Sequence, residues 1–315
     1  MIKLLVLDPT GLNPATWWRL YGPFNRIAKD YAGSIEVTYS DGHGLLLQHL
    51  GLFDVIVFYI TLNEGITQII QAAKNQGVKV ILDCDDDVFN LDPSSPDWQD
   101  YNAQQNHLTL NFQMADEIWF STDYLKDTYH KIGPNRYKMP NGIIPELLPE
   151  RPNLNGKRVL WRGSHSQTIN YFYAQDWYKE DEHWPDEWIW WGYCPPFVTR
   201  DKRNRFKSKV PPELYFSELQ RTDFNYLWKP LKPCAQNDAK TSISWIEATM
   251  AGAVCVTNYA GKPEWELCAP SFDEAAQRHE ALWAASKRTI EQHYNLREIN
   301  KSRVNRLSEL TGKNL

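Results

Sequence analysis

The sequence has few cysteines, and the five present, Cys84, Cys194, Cys234, Cys255 and Cys268, are odd in number and widely spaced. No pair suits a zinc site or a redox dithiol, so they read as reduced core residues. Also missing is any apolar run near the ~20 residues that span a bilayer. The opening "MIKLLVLDPTG" has an apolar core too short for a secretory signal, which predicts a cytoplasmic protein with no membrane partner. Internal repeats and low-complexity tracts are absent, which excludes solenoids and disordered arrays. Positive charge is scarce in the first half: residues 1–150 hold 10 Lys+Arg against 19 Asp+Glu, a net −9, while residues 151–315 hold 24 against 20, a net +4. The acidic half is a poor surface for long nucleic acid, whereas the cationic half suits a small polyanion.

Aromatic residues are abundant, with 14 Trp and 16 Tyr, and 315 residues suffice for two ordinary cores. Strand-like runs at 2–8, 34–40, 54–60, 78–83 and 117–122 alternate with helix-like segments such as 15–31 and 64–75. After a Pro/Asn/Gly-rich connector at 139–157 the alternation restarts, with strands at 158–164, 187–193, 224–230 and 253–259. This predicts an α/β protein of two Rossmann-like domains, residues 1–150 and 151–315, with parallel sheets facing across a cleft. In "EWIWWGY", Trp188 and Trp190 fall on one strand face and Ile189 and Trp191 on the other, as a strand buried on both faces requires. Residues 272–310 read as helix, either capping the second domain or crossing back to the first.

Two stretches carry chemistry. "VKVILDCDDDVFN" sets Asp83, Asp85, Asp86 and Asp87 at the carboxyl end of a buried strand, the edge where open α/β sheets bind ligands. They could hold a divalent cation, position a hydroxyl-bearing substrate and cap the next helix, or form a solvated acidic loop. "NDAKTSISWIEATMAGAVCVTN" offers Thr241 or Ser242 as N-cap and Gly252 as helix stop, with Ile243, Ile246 and Met250 on a buried face. Lys240, Ser244 and Glu247, at i, i+4 and i+7, share another face. A cation and hydroxyls at a helix start favour phosphate. Glu247, deeper, can accept hydrogen bonds from a ribose diol. An exposed helix with a distant charge pair is the bland alternative.

The stretch "NDAKTSISWIEATMAGAVCVTNYAGKPEW" resembles the donor-binding segment of GT-B glycosyltransferases of the retaining, group-1 type, and "FNYLWKPLKP" resembles the strand and turn before it. "WWRLYGPFNRI", "LDCDDDVFN", "MADEIWFSTDYLKDTYHKIGPNRYKMPNGI" and "LWRGSHSQTIN" agree in order with the same family, and "NDAKTS" resembles a version carried by phage and cyanobacterial members. The resemblance implies a nucleotide-sugar donor of UDP or GDP type, no further cofactor and no bound metal. It implies that Arg162 and Lys240 hold the diphosphate and act in catalysis, with Gly163 letting backbone approach it. Glu247 would bind the ribose, with Ser164, His165 and Ser242 nearby and Gly11 in the first-domain loop facing the donor. Asp85 and Asp86 would orient acceptor or sugar hydroxyls. The pattern departs at Ala239, where retaining members usually place a second Glu that touches the transferred sugar. Arg162 at a strand end suits a fork-shaped grip on phosphate.

The acceptor is not written in these motifs. Hydroxymethylated pyrimidine in phage DNA is one candidate and saccharide or protein hydroxyls are others. DNA would need the basic run of Arg200, Lys202, Arg203, Arg205, Lys207 and Lys209, which reads as a solvated loop. His43, in "DGHG", lies in a loop that could face the acceptor. A non-catalytic nucleotide-sugar-binding module and a metal-dependent Asp-x-Asp transferase of the other glycosyltransferase fold are the competing classes.

Overall fold

The structure, a computed structural model, describes residues 1–62, 65–133, 135–163, 165–199, 202–259 and 267–315, without the side chains of residues 165–167 and 172. The apolar runs of the first half become β1 (Ile2–Leu7), β2 (Ile35–Ser40), β3 (Val55–Tyr59), β4 (Lys79–Cys84) and β5 (Glu117–Phe120), joined by a sixth strand, β6 (Asn135–Lys138). They form one parallel sheet in the order β2-β1-β3-β4-β5-β6. The second half supplies β7 (Arg158–Gly163), β8 (Glu187–Gly192), β9 (Asn204–Lys207), β10 (Tyr226–Trp228) and β11 (Val254–Val256), ordered β11-β10-β7-β8-β9 and again parallel. In each sheet the strand order reverses beside its first strand, between β1 and β3 and between β7 and β10. Crevices open at the carboxyl ends of such switch points.

Strands buried on both faces need apolar residues at successive positions, and β3 and β8 show this. Trp188 and Trp190 join one core with Trp161, Trp228 and Phe272, while Ile189 and Trp191 join another with Leu227, Tyr215 and Trp245. The alternation predicted for this strand is observed. The short, polar edge strands β6 and β9 carry no such signal, and β9 falls inside the basic run expected to be a loop.

The 272–310 segment is two helices, Phe272–His293 and Leu296–Thr311. The break comes where Asn295 caps the second helix by accepting from the Arg297 amide, and where Ile143 exchanges backbone hydrogen bonds with Tyr294 and Leu296. The last helix lies against the first sheet: Val304 and Leu307 enter its core, Asn300 donates to the Pro23 carbonyl at 3.0 Å, and Lys313 pairs with Asp54 at 2.7 Å. Among the described residues, no helix is long and apolar enough to cross a membrane.

Candidate functional site

On the second sheet, Arg162 near the end of β7 sits at the switch point. Its Nη2 lies 2.8 Å from Glu247 Oε2 and 3.5 Å from Ser244 Oγ, and its guanidinium stands over the Tyr215 ring at 5.8 Å. Glu247 is fully buried. Burial pushes its pKa up, against Arg162, the Tyr215 hydroxyl and Lys229, which favour the charged form. Its neighbours among the described residues are the Arg162 guanidinium and the Tyr215 hydroxyl, which leaves lone pairs of the carboxylate free. Such buried acceptors are costly to leave unmatched. Lys229, just after β10, is buried too, and burial together with the Arg162 and Lys240 charges lowers its pKa to about 7.

The helix here is Ile243–Met250, shorter than the spacing of Lys240, Ser244 and Glu247 requires. Lys240 lies in the turn before it, so these three are not one helical face. Ser242 is the N-cap but makes no side-chain cap bond, and Gly252 follows the helix in the left-handed conformation. Every residue from Ser244 to Met250 is buried, which removes the exposed-helix alternative. Ala239 is fully buried in the core of the first sheet, packed where a Glu carboxylate would have no water.

On the first sheet the four aspartates part company. Asp83 forms a two-point ion pair with Arg19 at 2.6 and 2.8 Å, both side chains fully buried, and Arg19 also donates to the Met139 carbonyl at 2.6 Å. Asp87 accepts from Tyr129 and from the Asn90 amide. Asp85 accepts from the Tyr59 hydroxyl, and burial with Asp86 alongside raises its pKa to about 7. Asp86 alone faces the other sheet, where Lys240 Nζ lies 2.6 Å from its Oδ1. Asp92 adds a second link, pairing with Lys232 at 2.7 Å while its amide donates to Gln236. Among the described residues, no group of three His, Cys, Asp or Glu side chains is arranged to hold a metal.

Gly11 turns the chain after β1 at φ 73°, a left-handed conformation that glycine adopts without strain, and its amide donates to the Asp8 carbonyl. A Cβ at Gly163 would lie 2.5 Å from the Tyr193 carbonyl oxygen, so glycine is required there by the neighbouring strand end. Ser164, the His165 side chain and Arg200 lie outside the described residues. His43 is exposed in the loop after β2. Three described cations of the basic run are engaged: Lys207 pairs with Glu218 at 3.2 Å and lies over Trp191, Arg205 pairs with Glu187 at 3.4 Å, and Arg203 donates to the Glu182 carbonyl.

Lys229, Tyr215, Tyr59 and Arg19 were not singled out as site residues by sequence reasoning. Lys229 stands at a strand's carboxyl end directly before Pro230, a position that could have flagged it. Tyr215 carries no local signal, because its place against Arg162 depends on how the Pro212–Arg221 helix packs.

No protein-family model matches the chain, and no curated protein sequence does. Solved structures match it across most of its length. HepE of Anabaena, crystallised in complex with UDP, is 13% identical, with 98% of this chain and 100% of that chain covered at a TM-score of 0.59. A mutant of S. aureus TarM, crystallised with fondaparinux, alpha-GlcNAc-glycerol and UDP, is 10% identical over 80% of this chain and 55% of that one, at a TM-score of 0.54. The GtfA/B complex is 12% identical over 84% and 59%, at a TM-score of 0.52. At these identities the likeness is one of fold, and the fold is GT-B: two parallel-sheet α/β domains, as the sequence resemblance implies.

Proposed function

We propose that this protein is a glycosyltransferase that moves a sugar from a nucleotide-sugar donor, of UDP or GDP type, to an acceptor hydroxyl. The observation that carries this reading is the grouping of Arg162, Lys229 and Lys240 with the buried Glu247 at the β7/β10 switch point of a GT-B fold. Departure of a nucleoside diphosphate from the anomeric carbon builds negative charge on phosphate while the sugar becomes oxocarbenium-like. Fixed cations there lower the barrier without a divalent ion, so the transfer is metal-independent in this reading. Glu247, a carboxylate with acceptor capacity beyond its Arg162 and Tyr215 neighbours, accepts from the two ribose hydroxyls. The second domain, 151–315, thus holds the donor and the first, 1–150, presents the acceptor, with Asp85 and Asp86 orienting hydroxyls. A retaining outcome follows the family resemblance, with the sugar-contacting Glu replaced by the buried Ala239.

Among acceptors, the surface favours an uncharged hydroxyl compound over hydroxymethylated DNA. The first half is net −9, and the described cations of the basic run at 203, 205 and 207 are engaged by neighbouring acids, carbonyls or rings. A panel of UDP- and GDP-sugars tests the donor: a ligand that binds only the native state raises Tm. The matching donor should raise Tm and be hydrolysed or transferred at the same rate in EDTA. Loss of turnover in EDTA with recovery on Mn²⁺ would refute metal independence, and no stabilisation by any nucleotide sugar would refute the donor site.

A further inference from the structure

A cavity of about 310 Å³ opens between the first sheet's β5 and β6 ends and the turn before the Ile243–Met250 helix. Ser121, Tyr124, Lys138 and Asn141 line it from one side, and Thr241 and Ser242 from the other. None of Arg162, Lys229, Lys240 and Glu247 lines it, so it is set apart from the cations assigned to the diphosphate.

Two polar groups here are unmatched. Ser121 is 4% exposed and Asn141 3%, and the Ser121 hydroxyl and the Asn141 amide nitrogen are buried without a hydrogen-bond partner among the described residues. The Asn141 orientation is set from outside the cavity: Arg19 can only donate, and its Nη1 lies 3.2 Å from Asn141 Oδ1, so the NH2 is left for the cavity side. Leaving such groups unmatched is costly, and a ligand hydroxyl removes that cost. Tyr259 and Tyr294, 9% and 8% exposed, add aromatic faces to the wall. A ligand that fits has hydroxyls on its rim and C–H groups on a face. Charge selects against phosphate, since Asp123 and Asp238 stand at this cavity and Lys138 is spent on Asp123 at 2.6 Å. The volume is at the small end of ligand pockets, about 300–1,000 Å³, too small for a nucleotide and enough for one six-membered ring.

We infer that this cavity is a saccharide site that takes one neutral pyranose ring, with Asn141 Nδ2 donating to a ring hydroxyl and Ser121 Oγ exchanging a hydrogen bond with another. The inference rests on the glycosyl-transfer reading for its purpose, because the ring is either that of the acceptor or the sugar carried by the donor. Its geometry does not depend on that reading.

Saturation-transfer NMR on the whole chain tests it, with methyl glucoside, galactoside, mannoside and N-acetylglucosaminide, each with and without UDP or GDP. Calorimetry compares each nucleotide with its nucleotide sugar. Two variants close the cavity at different depths: Ser121→Leu from inside and Thr241→Trp from the rim, where a fold defect is not expected. An acceptor ring gives a methyl pyranoside signal in the presence of nucleotide that falls at least tenfold in Thr241→Trp. A donor ring gives no such signal but makes a nucleotide sugar bind more tightly than its nucleotide, an increment lost in that variant. In Ser121→Leu, on the first domain and away from the cations proposed to meet the diphosphate, nucleotide affinity stays within twofold of wild type. The inference is overturned if no pyranoside binds and no nucleotide sugar outbinds its nucleotide, or if Thr241→Trp leaves both readouts unchanged. If nucleotides fail to bind while a pyranoside binds and is lost in the variants, the saccharide site stands and the donor reading falls.

Discussion

Lys240 Nζ and Asp86 Oδ1, 154 residues apart in sequence, meet at 2.6 Å and tie the segment before the Ile243–Met250 helix to the first sheet's β4 loop. The ammonium proposed to meet the donor diphosphate is thus engaged by a carboxylate, and on that reading Asp86 and the diphosphate compete for it. Asp86 is partly exposed, so the pair is worth on the order of 1 kcal/mol. On the proposed reading, in which Asp86 also orients hydroxyls, Asp86→Asn should bind UDP or its matching nucleotide roughly fivefold more tightly while turning over more slowly. Calorimetry and initial rates report the two effects separately. Parallel losses in both would contradict the competition.

Removing either cation proposed to meet the diphosphate should act on the chemical step. Arg162→Ala and Lys240→Ala should each lower turnover by roughly 10²–10³, by analogy with the loss of one preformed donor to a developing anion. Steady-state kinetics decide, and near-normal rates in both variants would dismantle the site assignment.

The buried titratable groups predict a shape for stability against pH. Asp85 is raised from 3.8 to about 7, so the folded state holds its proton where the unfolded state has lost it. Its contribution is full below about pH 4 and is lost as pH rises to 7. Lys229 is lowered from 10.5 to about 7, so the folded state is penalised while the unfolded chain remains protonated, and stability returns as pH rises from 7 to about 10.5. Together they place a minimum near pH 7. Relative to wild type, Asp85→Asn should remove the acid limb and Lys229→Met the alkaline limb in plots of Tm against pH. Difference curves without a break near pH 7 would count against both assignments.

Arg19 and Asp83 should dominate the stability of the first domain's cleft edge. Asp83→Ala leaves Arg19 charged and fully buried, with the buried Arg303 guanidinium as its neighbour. Breaking a buried pair from one side costs about 3–5 kcal/mol. Urea unfolding should show a lower midpoint at an unchanged slope, and a loss below about 1 kcal/mol would mean the pair is relieved by water.

Much of the architecture was legible in the residues alone, because strands buried on both faces announce themselves locally. The apolar runs around β1, β3, β4 and β8, the alternation of Trp188 and Trp190 against Ile189 and Trp191, and the connector at 139–157 all follow from periodicity and turn chemistry over a few positions. The same holds for Gly252 as helix stop and for Arg162 at a strand end. What only the tertiary structure decided was which charge meets which. Four aspartates in five positions look alike in sequence, yet Asp83 belongs to Arg19, Asp87 to Tyr129, Asp85 to Tyr59 and Asp86 to Lys240. Those pairings depend on strand order and on the approach of two sheets. So do the burial of Lys229, the packing of Ala239 into the other domain's core, and the return of the last helix to the first sheet. A side chain's charge state is set by the water it loses and the charges it meets, and both come from residues far away along the chain.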